Sequence, residues 1–555
     1  MTSKVIFPIL ILAVVYTSCN SDYKITNALN SITIEHLKKN ISILSSDDFL
    51  GRAPTTLGEK KTINYLAEQF KELGLIPANG ESFFQEVPLI KITPNNDMTL
   101  KFIGKSGSEN LKFLDEFVGF TPQPKELINV ENSDVVFVGY GVVAPEYNWD
   151  DYKGIDVKGK TVIALVNDPG FKTKDTTLFS GKAMTYYGRW TYKFEEARRQ
   201  GAKAAIIIHE TEAAAYPWTT VKNTWTGRSF HLENNEYTGS DLQFTAWITT
   251  DAAKKIFTSA GLDFNELSAN ANKRGFKAIN LNLECFCHLT NKIDHIKSNN
   301  VAAVIPGASR ANEYIIYTAH WDHFGVKPSL RPDSILNGAQ DNACGVATLL
   351  EVAKAFKNLQ KKQNRSILFL AVTGEEFGLL GSEYYASNPI FPLKNTVGVI
   401  NLEGLNIFGK TKDMAIIGSG YSQMDDYAAT VLKRQGRVVS SESKPEKGSY
   451  FRSDHFSFSK KGVPSLYLGQ GVDNIEHGKD WGIQMNEKWT LENYHMPSDN
   501  YEPDKWDFSG MVDDVKAYFE IGYNLSMTDK FPDWKIQGPF KTLRDKMMKQ
   551  ESESD

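Results

Sequence analysis

RSILFLAVTGEEFGLLGSEYY, residues 365–385, is the stretch on which the fold turns. Its apolar run, Ile367 to Val372, is bounded by polar and turn residues, as in a strand buried on both faces. Thr373-Gly374 supplies the turn, and GLLGSEYYAS (378–387) reads as a helix. A strand, a tight turn and a helix make the repeating unit of an α/β sheet, which presents ligands beyond the carboxyl ends of its strands. Two adjacent acids, Glu375 and Glu376, stand at that place.

The same rhythm extends to both sides. NEYIIYTAH (312–320), TVGVINLEG (396–404) and GVPSLYLG (462–469) read as strands. GVATLLEVAKAFKNL (345–359), QMDDYAATVLKRQG (423–436) and SGMVDDVKAYFEIGYNL (509–525) carry apolar residues at helical spacing. From about residue 298 the chain is therefore expected to form an α/β domain, with a mostly parallel sheet covered by helices on both faces. Residues 30–75 read as two helices, with stripes Ile34, Leu37, Ile41, Leu44 and Ile63, Leu66, Phe70, Leu73, separated by the turn-rich SDDFLGRAP (46–54). Between these parts, SDVVFVGYGVV (133–143), GKTVIALVND (159–168) and GAKAAIIIHE (201–210) are short strands divided by turn signals. The expected division is a signal segment 1–18, a linker 19–29, the first part of the α/β domain 30–117, a β-rich insertion 118–290, the α/β core 291–530 and a charged tail 531–555.

The 555 residues are 41% hydrophobic and 23% charged, which excludes a chain disordered throughout. A net charge of -5 gives no basis for binding nucleic acid. Lys4 precedes an apolar run from Val5 to Tyr16 that is too short to span a membrane. With the small residues that follow, it has the layout of a secretory signal. The Cys in TSC (17–19) resembles a bacterial lipoprotein box, which implies an exported protein lipid-anchored at Cys19 in a bacterial cell envelope. Cys285, Cys287 and Cys344 make no disulfide framework. LNLECFCHL (281–289) alternates like a strand, so its cysteines read as packing residues, as does Cys344 at a helix start.

Acids and histidines recur at the strand ends. His320 and Asp322 close one strand, and alternation puts both side chains on one side, where a carboxylate fixes the tautomer of a ligating imidazole. Asp341 precedes a helix, a position that suits either an N-cap or a carboxylate bridging two cations. Glu375 and Glu376 occupy a turn, in which one binds a metal while the other reaches its water. Glu403 follows another strand, and His495 lies in the polar loop NYHMPSDN (493–500). Together they read as a two-metal hydrolase site.

TAHWDHFG (318–325), GAQDNACG (338–345), TGEEFGLLGS (373–382) and NYHMPSDN resemble the dinuclear-zinc aminopeptidases, family twenty-eight of the metallopeptidases. The resemblance runs from about residue 34 to 525, and VGYGVVAPEYNWDDYKGIDVKGKTVIALVNDPGF (138–171) resembles the protease-associated domain that many relatives carry as an insertion. It implies two zinc ions, one held by His320, Asp341 and Glu403, the other by Glu376, His495 and the shared Asp341. It further implies Glu375 as general base, Asp322 as the partner of His320, Tyr494 as an oxyanion donor, and a peptide substrate cut from its amino end. One position departs from the pattern: most relatives have Asp where this chain has Glu403, whose stem is longer by one methylene. The alternatives on the same scaffold are a receptor-like binding protein, a glutaminyl-cyclase-like acyltransferase, and an endopeptidase or carboxypeptidase. Ser453, Asp454 and His455 mimic a serine triad in composition only, because neighbours in one segment do not form the relay geometry.

Overall fold

The computed structural model describes residues 25–549, apart from 96, 106, 174, 226, 234–236, 328, 329, 331 and 537. The expected signal segment and Cys19 lie outside the described residues. The expected linker does not hold as far as residue 29, since Ile25 and Ala28 are already buried in the main core. Helices α1 (Ile34–Leu44) and α2 (Leu57–Glu72) follow, each started by a threonine, Thr33 and Thr56, whose hydroxyl accepts a backbone N–H of the first turn. Strand β1 (Phe84–Pro94) then enters the main sheet.

A second sheet begins at once, at β2 (Thr99–Gly104) and β3 (Gly107–Leu111), not near residue 118 as expected. The reason is pairing: β2 lies antiparallel to residues 284–288. The sheet continues through β4 (Phe117–Phe120), β5 (Leu127–Phe137), β6 (Thr161–Leu165), helix α3 (Trp190–Arg199) and β7 (Ala204–His209). Strand β8 (Ser229–Leu232) leaves it to pair with β1 in the main sheet, and β9 (Phe244–Thr249) returns beside β7. This module has its own core on two faces, with Ile206 and Ile208 on one and Ala205 and Ile207 on the other.

Strand β10 (Ile279–Ile305) joins the two sheets. Its first part pairs with β2 and β5, and its second with β1 and β12. Leu281, Leu283, Cys285, Cys287 and Leu289 alternate inward, so both cysteines are packing residues with thiols held protonated by burial. The α/β part follows with β11 (Arg310–His320), α4 (Cys344–Lys357), β12 (Arg365–Val372), α5 (Leu380–Ser387), β13 (Thr396–Asn401), β14 (Asp413–Ile417), α6 (Met424–Arg434), β15 (Val438–Ser441), β16 (Ser465–Gly469), α7 (Lys479–Glu492) and α8 (Phe508–Met527).

The centre of the main sheet is parallel, in the order β12-β11-β13-β16. Antiparallel strands β10, β1 and β8 flank it on one side, with β14 antiparallel to β16 on the other. All eight residues of β12 are buried. Ile367, Phe369 and Ala371 face the helices α1, α2, α4 and α8, while Leu368, Leu370 and Val372 face α5 and Phe458. The α/β architecture expected from the sequence is thus present, with helices on both faces. Truncating one such residue, Leu368→Ala, is expected to cost about 2–5 kcal/mol.

The expected charged tail contains a helix among the described residues. Helix α9 (Pro539–Lys549) packs on the core because buried Arg544 donates to the carbonyls of Thr396 (2.9 Å) and Leu393 (3.4 Å). Among the described residues no helix is long and apolar enough to cross a membrane.

Candidate metal centre

Parallel neighbours end on the same edge. Strands β11, β12 and β13 therefore deliver His320, the Glu375-Glu376 pair and Glu403 to one place. Gly374 turns the chain there with φ +65°, a left-handed conformation that suits glycine. Asp341 comes from the irregular turn Ala339–Ala343 before α4 and does not cap that helix; its neighbour Asn342 does, accepting the Gly345 amide at 3.0 Å. Gly338 (φ +53°) opens this loop, and a Cβ there would lie 2.1 Å from the Asp341 carbonyl and 2.7 Å from the His323 ring. Asp499 holds the loop by accepting the amides of Gln340 (3.0 Å) and Asp341 (3.1 Å).

Arg52, 1% exposed, locks these loops together. Its guanidinium donates to the carbonyls of Trp321 (2.9 Å), Leu44 (2.7 Å), Asn337 (2.6 Å) and Gly338 (2.8 Å). The segment after His320 and the segment before Asp341 are thus fixed by one side chain from SDDFLGRAP.

The expected ligands meet, though not all equally. Nε2 of His495 lies 3.2 Å from Asp341 Oδ2 and 3.2 Å from Glu376 Oε2. Nε2 of His320 lies 3.4 Å from Asp341 Oδ1, so Asp341 presents one oxygen to each imidazole. Donor atoms of His320, Glu375 and Glu376 fall within 4.8 Å of one another, as do those of His323, Asp341 and Glu376. Glu403 is in neither group: its Oε2 accepts from Ser453 Oγ and from Asn401 Nδ2 (3.3 Å). Tyr494 is 41% exposed at the lip of the cleft, its ring stacked on His495 at 3.8 Å. His495 itself holds φ +59°, a strained conformation for a non-glycine residue.

Two expectations change. Asp322 does not fix His320 through its carboxylate, whose Oδ1 is 3.9 Å from Nδ1. The imidazole is oriented by the Asp322 main-chain carbonyl, 3.1 Å from Nδ1, while the carboxylate accepts the Glu375 amide at 3.1 Å. A loop backbone that turns straight after the strand breaks the alternation on which the expectation rested. His323, passed over in the sequence, is fully buried with Nδ1 bonded to Glu376 Oε1. The clustered HWDH was its only signal.

The electrostatics follow from crowding acids in a buried place. Burial and then Asp341 push the Glu403 carboxyl up to about 7, and burial pushes Asp322 up to about 8. Burial also raises Glu375, with Glu403 and Glu376 adding to it. Burial opposes charge on Glu376 too, but His495 and His323 bring it down to about 2. His495 is raised to about 9, because Glu376 and Asp341 outweigh its burial. Carboxylates exceed imidazoles in one pocket, a balance that divalent cations restore. The donor set fits such ions on its own geometry. With Nδ1 of His320 at a carbonyl, its Nε2 carries the lone pair, and that atom is buried without a hydrogen-bond partner. Carboxylate and imidazole together suit a borderline transition metal.

Residues 300–519 match the profile of Peptidase family M28. The chain carries an M28 peptidase domain. The match runs from β10 to α8 and includes every expected ligand from His320 to His495. Among curated relatives of the M28 domain, a probable leucine aminopeptidase of Arthroderma otae is 26% identical over 243 residues, 43% of this chain and 61% of that protein. Aminopeptidase YwaD of Bacillus subtilis is 25% identical over 238 residues, 41% of this chain and 43% of the relative. The matched region thus spans less than two thirds of either relative. The solved aminopeptidase from Aneurinibacillus sp. strain AM-1 shares the fold with a TM-score of 0.50 and 20% identity, covering 91% of this chain and 97% of that one.

Proposed function

We propose that this protein is a zinc-dependent exopeptidase, an aminopeptidase that removes N-terminal residues from peptides. The observation that carries the reading is the convergence of His320, His495, Asp341, Glu375 and Glu376 at one sheet edge, with Nε2 of His320 buried and unpartnered. On this reading His320, Asp341 and Glu403 hold one zinc, and Glu376, His495 and the shared Asp341 hold the other. When bound, such a pair supplies an acidified water and polarises the scissile carbonyl. Glu375 accepts the proton of the attacking water and returns it to the leaving amine. The Asp322 carboxylate positions Glu375 through its amide. His323 orients Glu376 from behind. Tyr494, exposed beside His495, donates to the developing oxyanion.

The names of the relatives, aminopeptidases in each case, support cleavage at the amino end. Unblocked and N-acetylated peptides assayed with and without a chelator test it. Hydrolysis of unblocked peptides alone, lost on chelation, is expected. Equal cleavage of N-acetylated peptides would point to an endopeptidase. No cleavage by the zinc-loaded chain would favour the receptor-like or cyclase-like alternatives.

The β-rich module from Thr99 onward, read as a protease-associated domain, shapes the substrate cleft and carries no ligand. Arg189, Trp190, Tyr216 and Trp225 of this module lining the same cleft as Glu375 and Glu403 support that role. We also propose a lipid anchor at Cys19 and a place in a bacterial cell envelope, on the sequence alone. The mass of the mature N-terminal peptide tests it.

A further inference from the structure

The cleft of ≈ 2370 Å³ that contains the acidic centre has a second, oppositely charged wall. Arg189, the residue before α3, lines it from the β-rich module, and Arg452 lines it from the core, one residue before Ser453. The two segments are docked: Met184 N donates to Pro445 O at 3.1 Å, Lys182 pairs with Glu446 at 3.0 Å, and Tyr186 packs on Phe451 and Phe456. The wall is therefore built, not a chance meeting of surface side chains.

Arg189 is 7% exposed, and its Nε is buried with no hydrogen-bond partner. Among the described residues it makes no ion pair with a carboxylate; it lies 5.8 Å from the Trp190 ring, with Tyr216, Tyr186 and Glu195 within electrostatic reach. Arg452 likewise pairs with no carboxylate among the described residues and lies 5.9 Å from the Tyr216 ring. The two cations repel, since Arg452 adds to burial in lowering the affinity of Arg189 for its proton, to a pKa of about 10. The nearby acids are already engaged. Glu195 bonds Tyr186 and Lys460, and Glu442, within reach of Arg452, bonds Ser449. A buried guanidinium nitrogen without a partner is unfavourable unless an anion meets it.

Arg189 and Arg452 line the same cleft as Tyr494, Glu375 and Glu376. On the aminopeptidase reading the peptide beyond the scissile bond runs along this cleft, where a negative charge on it meets the two guanidinium groups.

We infer that Arg189 and Arg452 form a carboxylate-binding subsite on the leaving-group side of the cleft, selecting short peptides with a free C-terminal carboxylate or an acidic side chain just beyond the scissile bond. The inference rests on the aminopeptidase reading for its direction. Planar guanidinium pairs are the side chains best matched to a carboxylate.

The test uses the full zinc-loaded chain and three tripeptides: a free acid, its C-terminal amide, and an amide with Glu in the second position. The free acid is expected to exceed the plain amide in kcat/KM by about tenfold to a hundredfold, mostly through KM. Restoration of the rate by the Glu-containing amide assigns a side-chain carboxylate as the ligand, and preference for the free acid alone assigns the C-terminus. Arg452→Gln should bring the acid-to-amide ratio near one, and Arg452→Lys should recover part of it. Calorimetry with an uncleavable tripeptide, as acid and as amide, separates this inference from the activity. If nothing is hydrolysed but the acid still binds more tightly, the aminopeptidase reading fails and the subsite stands. If acid and amide are cleaved and bound alike, the subsite is overturned while the aminopeptidase reading stands.

Discussion

The two ends of the acidic cluster are built differently. Around Glu376 the side chains close on one another: His495 reaches both Asp341 and Glu376 at 3.2 Å, and His323 bonds the second oxygen of Glu376. Around Glu403 they do not: His320 stands 3.4 Å from Asp341 without a bond from Nε2, and Glu403 is turned to Ser453 and Asn401. At the first end the imidazoles and carboxylates face one another directly. The second keeps an imidazole lone pair free and ties its carboxylate to a hydroxyl and an amide. Glu403 thus has local partners in Ser453 and Asn401.

The largest effect is expected where both ends meet the substrate. Glu375→Gln should lower turnover about 10²-fold to 10⁴-fold while the metal content, read by elemental analysis, stays unchanged. Loss of metal in this variant would show that Glu375 belongs with the ligands and would erase the distinction between it and Glu376. Next comes Arg52→Ala, which should strike both ends at once. It strands the four carbonyls that Arg52 serves, at about 1–3 kcal/mol for each one left buried and unsatisfied. A chemical-denaturation midpoint that does not move would show that the loops hold themselves.

The asymmetry itself is tested at Glu403. Glu403→Ala should lower occupancy at the His320 end and cut activity strongly, while Glu403→Asp should keep the metal and change the rate moderately. Equal occupancy in the alanine variant, measured by equilibrium dialysis, would remove Glu403 from the ligand set. The smallest effect is expected for Ser453→Ala, which should weaken metal binding at the His320 end about tenfold and leave the Glu376 end as it is. A uniform loss at both ends would mean that Ser453 is a packing residue.

What the sequence made legible follows the same division. Strands β11, β12 and β13 were readable because continuous apolar runs bounded by turns leave little else for a buried sheet to be. The ligands at their ends followed from strand order. The parts that stayed hidden depend on contacts between distant segments. Arg52 lies in a loop far from the sheet in sequence, and nothing local marks an arginine that serves four carbonyls. His323 was overlooked because a histidine beside another reads as a loop residue until Glu376 is seen against it. Asp322 was given the wrong partner because alternation was extended past the end of the strand. The start of the second sheet at Thr99 was missed because its pairing partner, near residue 286, lies at the far end of the module. The buried Arg544 likewise hid in a segment whose composition reads as a solvated tail.

The central claim is that the edge shared by β11, β12 and β13 is a two-metal hydrolytic site, and elemental analysis of the purified active chain tests it most directly. The account predicts about two zinc ions per chain, with hydrolysis of unblocked peptides lost on chelation and regained on adding zinc. A chain that cleaves such peptides at full rate with no transition metal bound would contradict it.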